Sequence, residues 1–306
     1  MATKTQELLT QVKDLCLLSS SDTSQDTALI RHMNQVQQQI YLARGSWRDL
    51  QASTTISTVA STAYVAVPSD MALLYTIRQT SSSPYGKLAY LDPQRFHEVV
   101  PQPTMYSEGK PTYYSWWGDR LYLYPIPDAV YTLTAYYYKR PTNMKIYSTG
   151  TAAHTALVVT GTSTYWLSGD NVDTNMFFSY TADVRSDGTY PWATVASVTA
   201  NTTLGIAATY TGATASGTYI ASSASSFGVD FDTLLVLGTA ILFSGKYAQL
   251  TESMAWMKGE YDRMLTTLAK AQDRQPDWTP VARETERGGV MLGADAARFP
   301  FIREDL

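Results

Sequence analysis

The constraint that most limits what this chain folds into is a double change of period. Leu8, Val12 and Leu15 share one helical face, and Leu29, Met33, Val36 and Ile40 recur at i, i+4, i+7 and i+11. From about residue 51 apolar and polar residues alternate instead, through "TTISTVASTAYVAVPSDM", "LLYTIRQT", "GKLAYLD", "TYYSWWGDRLYLYPIPD" and "YTLTAYYYKRP". Helical spacing returns in "DFDTLLVLGTAILFSGKYAQL" and again in Met254, Met257, Tyr261, Met264 and Leu268. Amphipathic helices gain most of their stability by burying one stripe, so the helices of the two ends must pack together. The β-rich middle is then held between them.

Local signals set the boundaries. "SSSDTSQD" supplies N-cap residues before the second helix and Gly45 a stop after it. Asp92-Pro93 opens a short helix in "DPQRFHEVV", and turns fall at Gly86, Gly118-Asp119 and Pro127-Asp128. Asp230 or Asp232 caps the third long helix. A fourth, from Thr251 to Ala271, spans roughly 30 Å before Pro276 ends the pattern.

Residues 148–226 form a distinct compositional block, rich in Thr, Ser, Ala and Gly, with Arg185 as its only Lys or Arg. Its strand-like pieces are "TALVVTG", "MFFSYTA", "WATVASV", "TTLGIAA" and "GTYIASS", which predict a compact module of four to six strands. "YTGATASGTYI" reads as its last hairpin. The fold class is therefore α+β. Residues 1–147 carry a helical hairpin and a strand layer, 148–226 an inserted β-module, 227–274 the helices that complete the scaffold, and 275–306 an extended tail.

Composition excludes several classes. Charged residues make up 16%, against roughly 25% in an average soluble protein, so much of the surface is Ser, Thr, Tyr, Asn and Gln. The net charge is -4 and no Lys/Arg run occurs, which argues against a grip on nucleic acid. The single Cys16, among Leu15, Leu17 and Leu18, reads as a buried structural thiol and precludes an intrachain disulfide. "MATKTQELLTQVKDL" does not read as a signal peptide, and no run approaches the roughly 18 apolar residues of a membrane span. A reducing cytoplasm is the expected place of synthesis, and no membrane is expected as a partner.

Catalytic constellations are absent from the pattern. His32, expected on a solvated helix face, His97 beside Glu98, and His154 ahead of a strand fall in three separate elements. Asp170, Asp173, Asp183 and Asp187 lie in turn-like stretches, where a glycosidase pair would need burial to separate its pKa values. "DNVD" does not match the EF-hand calcium loop. No cofactor, metal or enzymatic activity is expected. The aromatics of the block, Trp166, Phe177, Phe178, Tyr180, Tyr190 and Trp192, either fill a small β-core or offer a sugar platform, with the core favoured. Tyr113, Tyr114, Trp116, Trp117, Tyr122, Tyr124, Tyr131, Tyr136, Tyr137 and Tyr138 are too dense for one face, so period two buries half and exposes half, either at a protein interface or as a plain polar β-surface.

The helical pair before "SWRDL", the strand and turn "AYVAVPSDM", the stretch "EGKPTYYSWWGDRLYLYPIPDAVYTLTAYYYKRP" and the Thr/Gly block ending in "ASVTANTTLGIAATYTGATASGTYI" occur in this order. Taken together they resemble the head-to-tail adaptor (connector) proteins of tailed bacteriophages, over nearly the whole chain. The resemblance implies a structural virion protein at the portal–tail junction, in a ring of twelve copies beneath the portal protein. DNA would pass through that ring without sequence-specific binding, and the insert would face tail, nozzle or fibre proteins. The alternative reading is a glycan- or receptor-binding tail protein acting through the β-module. On the adaptor reading, Met254, Met257, Tyr261 and Met264 are the expected ring contacts. Trp278, Arg298, Phe299, Phe301 and Ile302 are the expected portal anchors.

Overall fold

The computed structural model describes residues 3–80, 86–100, 107–244 and 251–273; the side chains of residues 251–254 and 273 are not among those described. Five α-helices and three sheets occur among the described residues, an α+β arrangement. The expected tail, 275–306, lies outside them.

The helices α1 (Thr5–Leu15), α2 (Asp26–Arg44), α4 (Asp232–Ser244) and α5 (Thr251–Asp273) share one core; α3 (Pro93–Val99) lies apart in the strand layer. Leu8, Leu9 and Val12 of α1 and Leu29, Met33, Val36 and Ile40 of α2 are buried there, on the faces their spacing predicts. Gly45 closes α2 in the left-handed conformation (φ 71°), and its N–H donates to the Tyr41 carbonyl. α4 is apolar nearly all round, so it occupies the centre of the bundle. Gly238 allows this: a Cβ there would stand 2.6 Å from Val36 Cγ1 and 2.9 Å from Tyr261 Cε2. The α1–α2 loop is tied from within. Lys13 is buried, donates to the Asp22 carbonyl at 2.7 Å and pairs with Asp26 at 2.5 Å.

Two four-stranded sheets follow. One has the order β1 (Gln51–Ser57), β8 (Thr132–Lys139), β3 (Met71–Gln79), β4 (Gly86–Lys87). The other has the order β2 (Tyr64–Ala66), β7 (Arg120–Tyr124), β6 (Tyr113–Trp117), β5 (Ala89–Tyr90). Their inner faces meet in a core of Val65, Met71, Ile77, Tyr114, Leu121, Leu123, Leu133, Ala135 and Tyr137. Asp92 caps α3 by accepting the Gln94 N–H at 2.9 Å, and Pro93 sits in its first turn, as the sequence predicts.

The third sheet has eight strands: β15 (Ser216–Gly217), β10 (Thr151–Thr155), β11 (Val158–Thr162), β14 (Thr203–Ile206), β13 (Ala193–Ala200), β12 (Phe177–Tyr180), β16 (Tyr219–Ser222) and β9 (Ile146–Tyr147). This exceeds the four to six expected, because two-residue strands such as β9 and β15 carry no readable alternation. Nor is "YTGATASGTYI" a hairpin. β15 pairs with β10 while β16 pairs with β12, on opposite sides of the sheet order. Only one residue, Thr218, separates β15 from β16, so the sheet must curl back on itself towards a barrel. Trp166, Val159, Phe178, Tyr180, Leu204 and Tyr219 fill its interior.

The chain enters and leaves this sheet at one place. β9 pairs with β16, and two side chains of α2 clamp the crossings beside them. Asn34 Nδ2 donates to the Met144 carbonyl (2.9 Å), and Asn34 Oδ1 accepts the Met144 N–H (2.6 Å). Gln37 Nε2 donates to the Thr142 carbonyl (2.7 Å), and its Oε1 accepts the Ser226 N–H (3.1 Å). On the return path, the Ser223 carbonyl accepts the Thr5 N–H at 2.8 Å, and Phe227 is buried in the helical core. The strand Ile146–Tyr147 thus precedes the boundary read from composition, and residues 223–226 hydrogen-bond the scaffold.

Two outcomes are expected. Gln37→Leu keeps the volume but leaves the Ser226 amide without its acceptor and removes the Thr142 carbonyl's donor, so urea denaturation should report a loss of about 2–4 kcal/mol. Replacing residues 148–220 by a short Gly/Ser linker should leave the helical signal and a cooperative melt. A product that fails to fold would make the eight-stranded sheet part of the scaffold's own core.

Candidate interaction surfaces

The three histidines lie on separate elements, α2, α3 and β10. His32 is half-buried on α2, its ring nitrogens shielded, rather than solvated as its helix face suggests. His97 is exposed and lies edge-on to Phe96 and Trp117. His154 lies within β10 rather than ahead of a strand, and its Nδ1 meets the Tyr180 hydroxyl at 3.2 Å. No group of three or more His, Cys, Asp or Glu placed to hold a metal occurs among the described residues. Burial pushes the Cys16 thiol up to about 11, so the thiolate that would react is suppressed. No helix among the described residues is long and apolar enough to cross a membrane.

The turn aspartates have structural partners. Asp173 pairs with Lys145 at 2.5 Å, and the Asp170 carbonyl accepts from the same ammonium. Asp187 accepts the Thr189 N–H and hydroxyl at 2.9 and 2.7 Å. Asp183 holds the crossover before β15, accepting from the Tyr210 hydroxyl (2.8 Å), the Thr214 hydroxyl (2.6 Å) and the Thr214 N–H. Burial alone would raise its pKa; hydrogen bonds from Thr214, Tyr210 and the backbone outweigh that and hold it below the ordinary carboxylate value.

The aromatics divide between cores and surface. Trp166, Phe178 and Tyr180 are fully buried in the curled sheet, and the Trp166 N–H donates to the Tyr219 hydroxyl at 2.7 Å. Phe177, Tyr190 and Trp192 are half-buried; Trp192 Nε1 donates to Glu7 and Phe177 lies under Lys4, so these face α1 rather than an open platform. In the sandwich, Tyr114 and Tyr137 are buried, whereas Tyr113, Trp117 and Tyr136 are exposed, Trp117 by 62%. Tyr136 and Arg78 stack (5.8 Å), and with Gln79, Thr80, Gly86 and Lys87 they line a concavity of about 540 Å³ on the outer face of β3 and β8. Arg120 lies 4.2 Å from the centre of the Tyr64 ring on the other outer face.

The expected ring contacts lie on α5. Met257 is only 4% exposed and belongs to the subunit's own helical core, so it has no surface left for a neighbour. Tyr261 and Met264 are half-buried against that core; the Met254 side chain lies outside those described. Trp256, which helical spacing did not single out, is 66% exposed on the same helix. The expected portal anchors Trp278, Arg298, Phe299, Phe301 and Ile302 lie outside the described residues.

Asp183 sets a pH dependence. A carboxyl whose folded pKa is depressed stabilises the fold above its ordinary pKa, and that contribution is lost as pH falls through the folded value. Thermal melts of the protein should therefore lose stability on acidification through and below the ordinary carboxylate range. Asp183→Asn should melt lower at neutral pH and show a shallower acid dependence.

The model of one protein family, described as SU10 adaptor protein, matches residues 3–159. That span holds α1, α2, both sheets of the sandwich and the opening strands of the curled sheet. No curated protein matches the chain. The match covers half of the 306 residues, and the chain belongs to this adaptor family.

Proposed function

We propose that this member of the SU10 adaptor family is a structural head-to-tail adaptor of a tailed-phage virion, forming a ring beneath the capsid portal and joining it to tail components. The observation that carries the reading is the family match, which extends across the helical hairpin and the sandwich. The ring is proposed to hold twelve copies, as the resemblance implies, with DNA passing through it without sequence-specific contact. Low surface charge and exposed aromatics on the sandwich suit a subunit whose faces meet other proteins. The burial of Trp166, Phe178 and Tyr180 favours this reading over a glycan platform on the curled sheet.

Lateral contact is proposed for the outer side of α5. With Met257 used inside the subunit, that helix offers Trp256 and the half-buried edge of Tyr261 and Met264, next to Met254 in sequence. Head-to-tail contacts of this kind close into rings. The segment after α5 is proposed to reach the portal, with Trp278, Arg298, Phe299, Phe301 and Ile302 as anchors and the two phenylalanines contributing about 1–3 kcal/mol each.

Native mass measurement of the protein mixed with portal tests the first claim: many copies per portal are expected, and one copy per portal overturns it. Truncation after Gln275 tests the second. A folded protein that no longer binds portal is expected, and undiminished binding would move the attachment elsewhere on the subunit.

A further inference from the structure

Among the described residues the three sheets have six edge strands, and five of these are short. β4, β5, β9 and β15 have two residues each and β2 has three, which is how sheets blunt their edges against unwanted pairing. β1 is the exception. It runs seven residues, "QASTTIS", with no charge and no proline, and it pairs with β8 in unbroken register from Gln51↔Tyr138 to Ser57↔Thr132. Neither a charge nor a proline interrupts it, and no register shift bends it. The side chains report the same vacancy. On the inward face of β8, Leu133 and Ala135 are fully buried, whereas Ala52, Thr54 and Ile56 of β1 are only half-buried. Among the described residues no strand pairs with the outer side of β1.

We propose that β1 is an acceptor edge, and that in the isolated subunit its occupant is the chain's own segment around Phe299–Phe301. The geometry of the last described turn favours this source. The Arg48 N–H donates to Gln272 Oε1 at 2.8 Å, so α5 ends beside the residues that lead into β1. Another 33 residues follow Asp273. β1 is about 23 Å long at strand rise, well within their reach, and closing a loop of this length costs little more than closing a shorter one. The sequence of the segment fits the edge. Phe299 and Phe301 stand two apart and so share one face, opposite the half-buried row Ala52, Thr54 and Ile56. Pro300 between them has no N–H, and an edge strand tolerates proline at the positions whose backbone points to solvent. Any partner that captures Phe299 and Phe301 must then draw them off this edge first.

Amide exchange of the full-length protein, read residue by residue by NMR at low concentration, tests this. The alternate β1 amides that point away from β8 should be protected. Phe299→Ala with Phe301→Ala should speed their exchange at least tenfold while the amides of α2 and α4 keep their rates. Arg298→Ala with Ile302→Ala, on the other face, should leave the protection in place. Equal β1 exchange in the parent and the phenylalanine variant would overturn the proposal, as would loss of protection spread equally over the helices. Protection that grows with protein concentration would assign the strand to a second copy and also overturn it.

Discussion

Asn34 and Gln37 stand one helical turn apart on α2, and between them they hold both crossings of the chain into and out of the curled sheet. Each amide acts as donor and acceptor at once, so a single helix face satisfies backbone groups at Met144, Thr142 and Ser226. Gln37 is fully buried, which makes these bonds obligatory, because an unpaired buried amide or carbonyl has no water to turn to. The insertion of about eighty residues of β-structure is compatible with a continuous helical core because this clamp brings the chain back to where it left. Ser223 and Phe227 then continue the return path directly into that core.

Above the clamp the molecule divides its large side chains by location. The helical core uses Leu, Met and Val at its seams and a cluster of Trp47, Phe227 and Phe231 at one end, where the Trp47 N–H donates to the Ile40 carbonyl at 2.7 Å. The curled sheet has an aromatic interior in which hydroxyls pair with one another and with Asp183. That suits a small, strongly curved sheet, whose interior needs bulk but whose tyrosine hydroxyls must still find partners. The sandwich presents Tyr64, Tyr113, Trp117 and Tyr136 outward, and Trp256 and Tyr165 are exposed outside it.

This division bears on function. Residues with catalytic potential are dispersed or engaged in turns, and the thiol is suppressed by burial. Among the described residues, the outer faces of the sandwich and the exposed side of α5 carry solvent-facing aromatic side chains.

Periodicity located α1, α2 and α5, whose buried stripes repeat at helical spacing, while boundary chemistry marked the end of α2 at Gly45 and the start of α3 at Asp92-Pro93. The sandwich strands were legible for the same reason. The order of adaptor-like motifs also pointed to the family. Tertiary structure decided what period cannot encode. Met254, Met257, Tyr261 and Met264 read as a candidate contact stripe, but a stripe does not say which partner covers it, and the helical core of the same subunit takes Met257. "YTGATASGTYI" has the turn chemistry of a hairpin, yet its two strands pair on opposite sides of one sheet, because sheet closure depends on residues 63 and 65 positions away in β10 and about 40 away in β12. The place of β1 at the end of its sheet order among the described residues was equally invisible, since order in a sheet is set by strands distant in sequence.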